Sequence, residues 1–164
     1  MKIEAARKCD HQALITLWED SVRASHHFLQ EADIAALRPL ILDHYFDAVT
    51  LNCARGENGE IVGFIGVLDG NIEMLFVAPE AMGQGVGRQL VAHAISELGA
   101  RRVDVNEQNE QALAFYRRMG FVVVGRSPLD GEGRPYPLLH MALAPREEDL
   151  PAQHLATNRG EDPS

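Results

Sequence analysis

The stretch that most restricts this chain is residues 71–98, where an apolar run, NIEMLFVAP, gives way to a glycine-rich turn and then to an amphipathic helix. Gly83, Gly85 and Gly87 alternate through MGQGVGRQL. Glycines in this pattern let backbone N–H groups converge without interference from Cβ. A helix starting there adds the unpaired donors of its first turn and the positive end of its dipole. The combination suits a pyrophosphate held by main chain; the alternative is a glycine-rich helix start that holds no ligand. Two common phosphate loops are excluded. A dinucleotide-binding G-x-G-x-x-G would need its third glycine where the chain has Arg88 or Leu90, and would follow a strand of a parallel βαβ unit. A Walker A loop needs Lys and Ser or Thr where Arg88 and Gln89 stand. No lysine follows Lys8, which removes a lysine clasp or a Schiff-base lysine from the body of the chain.

The flanking patterns predict an α+β domain. Residues 2–6 read as a short strand. Ala13, Leu14, Leu17, Trp18 and Val22 recur at helical spacing from Asp10, placed to cap, to about Ser25. A second helical pattern runs over 31–49 with a kink or restart at Pro39, and SHHFL (25–29) joins the two. The period then changes to that of strands: LNCAR, EIVGFIGVLDG and NIEMLFVAP, separated by GENG and DGN, predict a three-strand antiparallel meander. After the glycine loop, Val86, Leu90, Val91, Ala94, Ile95 and Leu98 line one helix face that Gly99 stops. RRVDVN is a further strand. Asn109 caps a helix carrying Ala112, Phe115, Tyr116 and Met119, closed by Gly120, and FVVVG and YPLLHMALA are two last strands around a turn-rich loop. The expected organisation is one domain over 1–144 and a loosely ordered polar tail over 145–164.

Composition narrows the partners. A net charge of −9 opposes nucleic acid and favours cationic small molecules or basic peptide segments. No apolar run approaches the roughly 18 residues of a membrane span, and no signal-peptide h-region opens the chain, so no membrane partner is expected. Cys9 and Cys53, without C-x-x-C spacing, are expected as a buried pair of free thiols in a cytoplasmic protein. The seven histidines show no ligand spacing, and no metal is expected.

The order strand, glycine loop, helix, strand VDVN and then NEQALAFYRRMGF resembles the GNAT superfamily of acetyl-CoA-dependent N-acetyltransferases. Gly85 and Gly87 fall on the small positions of that family's Q/R-x-x-G-x-G/A motif; Asn109, Ala112, Phe115, Tyr116, Gly120 and Phe121 match its second signature. The resemblance covers about residues 2–144. VNEQNEQALAFYRRMGF, GRPYPLL and SHHFL further resemble the bacterial YjaB-type group of peptidyl-lysine N-acetyltransferases. The resemblance implies a mixed, mainly antiparallel sheet of about six or seven strands with splayed central strands, flanked by about four helices. It implies acetyl-CoA as cosubstrate, and as acceptor a protein lysine or an amine-bearing small molecule. A CoA-binding regulatory or sensor domain without efficient turnover is the alternative, and the protein would be a monomer or a homodimer.

On these positions the resemblance assigns acetyl-CoA to Leu75, Phe76, Val77, Gly83, Gln84, Gly85, Val86, Gly87, Arg88, Asn109, Ala112 and Phe115, with an oxyanion donor among the 75–77 amides. Met82 departs from the motif's usual Arg or Gln, a loss that Arg88 in the first helical turn would offset. Glu73 is the expected general base, sharing a strand face with Leu75 and Val77 and made more basic by burial. A solvated strand acid that only attracts a cation is the plainer reading of the same residue. Tyr116 is the expected general acid for the departing thiolate, against the plainer reading of a core aromatic. His26, His27, Phe28 and Tyr136 are expected around the acceptor.

Overall fold

The computed structural model describes residues 1–25 and 29–144. The junction histidines His26 and His27, with Phe28, and the expected tail over 145–164 lie outside the described residues.

Seven strands form one sheet in the order β1-β2-β3-β4-β5-β7-β6, with β1 Lys2–Ala5, β2 Thr50–Arg55, β3 Ile61–Leu68, β4 Asn71–Val77, β5 Arg102–Asn106, β6 Phe121–Ser127 and β7 Leu138–Leu143. Every neighbouring pair is antiparallel except β4 and β5, which run parallel and pair only at Asn71↔Arg102 and Ile72↔Val103. The parallel pair needs a crossover, supplied by the glycine loop and helix α4 (Val86–Glu97). The remaining helices are α1 (His11–Ser25), α2 (Glu31–Leu40), the single turn α3 (Phe46–Ala48) and α5 (Glu110–Arg118). The four longer helices and the mixed sheet agree with the predicted class.

Side-chain alternation assigns the layers. Phe64 stacks on Phe76 at 5.6 Å and meets Phe46 edge-on at 5.8 Å, with His11 of α1 5.1 Å from Phe46. One face of the central strands is therefore covered by α1 and the 41–48 segment. Gly63, whose side chain position faces the other way, lies under α4: a Cβ there would stand 2.8 Å from Val86 and 3.1 Å from Leu90. Glycine at 63 thus sets how closely α4 approaches the sheet.

Two local expectations change, for Asp10 and the cysteines, and one gains detail. Asp10 sits in a short 3-10 turn, and its carboxylate accepts from the Arg7 N–H at 2.8 Å and from Arg55 at 3.0 Å. A lattice of charge replaces the simple helix cap. Pro39 lies inside α2, and the irregularity expected there takes the form of a π-turn over Ile41–Tyr45, the kind of widened turn that relieves a local misfit in the i→i−4 ladder. Cys53 is fully buried on β2, while Cys9 is exposed, so the two thiols are not a buried pair.

Candidate active site

The cofactor-shaped feature follows from the short β4–β5 ladder. Beyond Ile72 and Val103 the two strands part, and a cleft of about 970 Å³ opens between them. Leu75, Phe76 and Val77 line it from β4, Asp104, Val105 and Asn106 from β5. The backbone of β4 supplies donors to this gap. Ala78 N–H donates to the Val62 carbonyl at 2.9 Å. Hydrogen-bonded pairs alternate along an antiparallel ladder, so Phe76 points its backbone groups to β3. Leu75 and Val77 then turn theirs toward the gap left by β5.

The cleft runs to the glycine loop. Met82, Gly83, Gly85, Val86, Gly87 and Arg88 all line it. Gly83 and Gly85 have φ of 80° and 83°, a left-handed backbone that a Cβ would strain. Gly85 is the N-cap residue of α4 and has no side chain to satisfy the first-turn N–H groups, which stay available to an anion. Gly87 is there for closeness: a Cβ on it would touch Phe115 at 3.5 Å and Val77 at 3.7 Å. Gln84 is turned away, its side-chain amide donating to the Glu80 carbonyl at 3.5 Å, and is not part of the lining.

Helix α5 closes the far wall. Asn109 caps it as expected, its side-chain oxygen accepting from Ala112 N–H at 3.1 Å. Asn109, Ala112, Phe115 and Tyr116 line the cleft. Tyr116 is buried between Phe115 and Phe121, with ring centroids 5.0 and 5.5 Å away. Burial pushes its phenol up from the ordinary value, because a phenolate would lose its hydration. The group thus stays protonated through the neutral range.

Glu73 stands differently from the prediction. It is exposed, accepts a hydrogen bond from the Asn71 side-chain amide, and is absent from the cleft lining. The cause is a bulge: Gly66 pairs with Met74 and Val67 with Ile72, so Glu73 is passed over and the strict alternation assumed for 73, 75 and 77 is broken. Tyr136 is half-buried in the turn-rich loop, its N–H on the Arg134 carbonyl at 2.7 Å, and does not line the cleft.

Sequence reasoning missed Ser21, Ala81, Asp104, Val105, Asn106, Gln111, Arg118 and Met119 on the cleft wall. The β5 residues carried a usable signal, since a strand beside the splay must contribute its alternate side chains. Ser21 had none, being a polar residue in an otherwise helical core pattern. Among the described residues there is no cluster of three metal-ligating side chains, and no helix is long and apolar enough to cross a membrane.

Residues 19–143 match the acetyltransferase (GNAT) domain. The chain is 40% identical to the peptidyl-lysine N-acetyltransferase YjaB of Salmonella typhimurium over 141 residues, which is 86% of this chain and 97% of the relative. The solution structure of apo-form YjaB from Escherichia coli superposes with a TM-score of 0.79 at 38% identity, covering 88% of this chain and 98% of the other. The PaiA N-acetyltransferase from Thermoplasma acidophilum, solved in complex with coenzyme A, shares the fold with a TM-score of 0.69 at 18% identity, over 88% of this chain and all (100%) of that one. The chain belongs to the GNAT family of acetyl-CoA-dependent acetyltransferases.

Proposed function

We propose that the protein moves the acetyl group of acetyl-CoA directly to a primary amine, with a protein lysine as acceptor. The observation that carries this reading is the splayed β4–β5 cleft, continuous from the Leu75 and Val77 amides to the left-handed glycine loop and the open start of α4. Pantetheine extended along β4 replaces the missing strand, with its pyrophosphate on the 83–88 amides and the Arg88 guanidinium. The thioester oxygen takes a β4 amide as it becomes an oxyanion. The amine, having given up its extra proton to water, bonds through nitrogen to the acetyl carbon and the C–S bond breaks; Tyr116 gives its proton to the thiolate, and the proton released from the acetylated nitrogen returns through solvent to the phenolate.

The lysine acceptor rests on the name of the YjaB relatives, read together with the net charge of −9, which suits cationic acceptors. Glu73, exposed and beside Asn71, draws the cation from the surface in this reading and is not its base. The experiment is release of free CoA thiol from acetyl-CoA in the presence of lysine peptides, with mass spectrometry of the peptide. Stoichiometric thiol and Nε-acetyl-lysine are expected. Tight acetyl-CoA binding without either product would make this a binding domain.

A further inference from the structure

One side-chain cluster on this sheet is built across three strands and touches the cleft at one end. Asp104 and His140 are directly opposed on β5 and β7, and His140 Nδ1 lies 2.6 Å from Asp104 Oδ1. His140 Nε2 lies 2.6 Å from Ser127 Oγ on β6. The β6 bulge assembles the chain of contacts. Val123 pairs with Met141 and Gly125 with His140, leaving Val124 unpaired and bringing glycine under the imidazole. A Cβ on Gly125 would stand 3.5 Å from the ring. The ring crosses that bare backbone to reach Ser127. The partners assign the tautomer: a carboxylate only accepts, so Nδ1 carries the proton to Asp104 and Nε2 accepts the Ser127 hydroxyl.

The sequence Ser–His–Asp has the form of a nucleophile relay, but its position argues otherwise. Strands lie about 4.8 Å apart, which puts Ser127 about 10 Å from Asp104. Ser127 and His140 are off the cleft wall, while Asp104 is on it. The useful end of the chain is therefore the carboxylate. Asp104 is the residue after the last β4–β5 pair, at the apex where the strands part. It is the one carboxylate among the residues lining the cleft. His140 holds Oδ1, and among the described residues Oδ2 has no protein hydrogen-bond partner. An exposed carboxylate held by His140 at the inner end of the cleft, with Arg88 lining the loop end, suits an alkylammonium.

We propose that Asp104 binds the ammonium of the acceptor amine, and that His140 and Ser127 are positioning residues that fix its carboxylate. The proposal rests on the acetyl-transfer reading for what lies beside the ammonium, but the binding itself does not require turnover.

The test has two arms on the full chain. In the first, Asp104→Asn is compared with the parent using Nα-acetyl-lysine methylamide, a cation, and an aromatic amine that is neutral at pH 8. Loss of a charged hydrogen bond predicts a KM for the cationic amine higher by about tenfold to a hundredfold. The KM for acetyl-CoA and the KM for the neutral amine should rise far less than the KM for the cation. His140→Gln should reproduce part of the KM rise. An unchanged KM for the cation overturns the proposal, and so does an equal loss with both amines, which would mean a structural or cofactor role. In the second arm, Nα-acetyl-lysine methylamide is titrated into the CoA-bound parent while the His140 ring protons are followed by NMR. Saturable shifts, abolished in Asp104→Asn, are expected. If the parent acetylates nothing yet the shifts appear, the transfer reading fails and the ammonium site stands; without shifts the site fails.

Discussion

Tyr116 carries the chemical step on this reading, and its environment makes a sharp prediction. A buried phenol whose titration is pushed upward remains a donor throughout the working range. Tyr116→Phe removes the proton and keeps the ring packing against Phe115 and Phe121. We expect kcat to fall by about 10² to 10⁴-fold, with acetyl-CoA affinity kept, as read by steady-state kinetics and calorimetry. A kcat/KM matching the parent from about pH 6 to about pH 9 would remove the assignment. Glu73→Gln, at an exposed position, should change kcat little. The contrast shows what a motif can and cannot transmit. The position of Tyr116 on the cleft wall was readable because its helix keeps an unbroken period, whereas the burial expected of Glu73 fails because a bulge leaves no mark in a run as apolar as NIEMLFV.

Gly63 and α4 pose the corresponding question for elements. The glycine loop is useful only if the first turn of α4 sits over the C-terminal end of β4, and Gly63 sets that approach. Val86, the residue a new methyl would strike, is β-branched and stiff in a helix, and the Phe76 carbonyl at 3.2 Å blocks the other direction. Gly63→Ala should cost about 1–3 kcal/mol in denaturant unfolding and weaken acetyl-CoA binding measurably. Unchanged affinity with lost stability would mean that the helix absorbs the shift without moving its first turn. Element identity was largely legible: the strand and helix periods, Gly99, Asn109 and Gly120 all marked real ends. The splay was not, because whether β4 and β5 stay paired depends on backbone contacts between segments thirty residues apart. The resemblance supplied it where periodicity had nothing to say, and Asp104, legible only as one residue of VDVN, stayed hidden with it.

For the whole molecule, charge and ligand both act on stability. Arg55 on β2 joins Glu4 of β1 and Asp10 at the start of α1, at 2.6 and 3.0 Å. The Arg55 hydrogen bond holds the Glu4 carboxyl below its usual range, and the Arg7 backbone N–H, ahead of Arg55, does the same for Asp10. Carboxylates with lowered folded-state values stabilise above their ordinary values of about 4 and lose that contribution as pH falls through the lower, folded ones. Acid unfolding of the parent should therefore begin below about pH 4. In Arg55→Met it should begin at higher pH, as a shift in denaturant midpoints across that range would show.

Cofactor binding tests the architecture in the opposite direction. On the acetyl-transfer reading acetyl-CoA binds only the folded chain, so at a hundred times its Kd it should add about 2.7 kcal/mol. For a domain of this size each kcal/mol moves Tm by about 2–4 °C, giving a rise of about 5–10 °C in a thermal scan. The increment should keep growing with the logarithm of concentration, since mass action does not saturate with the site. Gly63→Ala should need more acetyl-CoA for the same rise, because its loop is displaced. Asp104→Asn should need no more, because its carboxylate faces the acceptor. A pair of variants that separate in this way would divide the cleft into a phosphate end set by α4 and an amine end set by β5. No shift at millimolar acetyl-CoA in the parent would remove the cofactor from the cleft altogether.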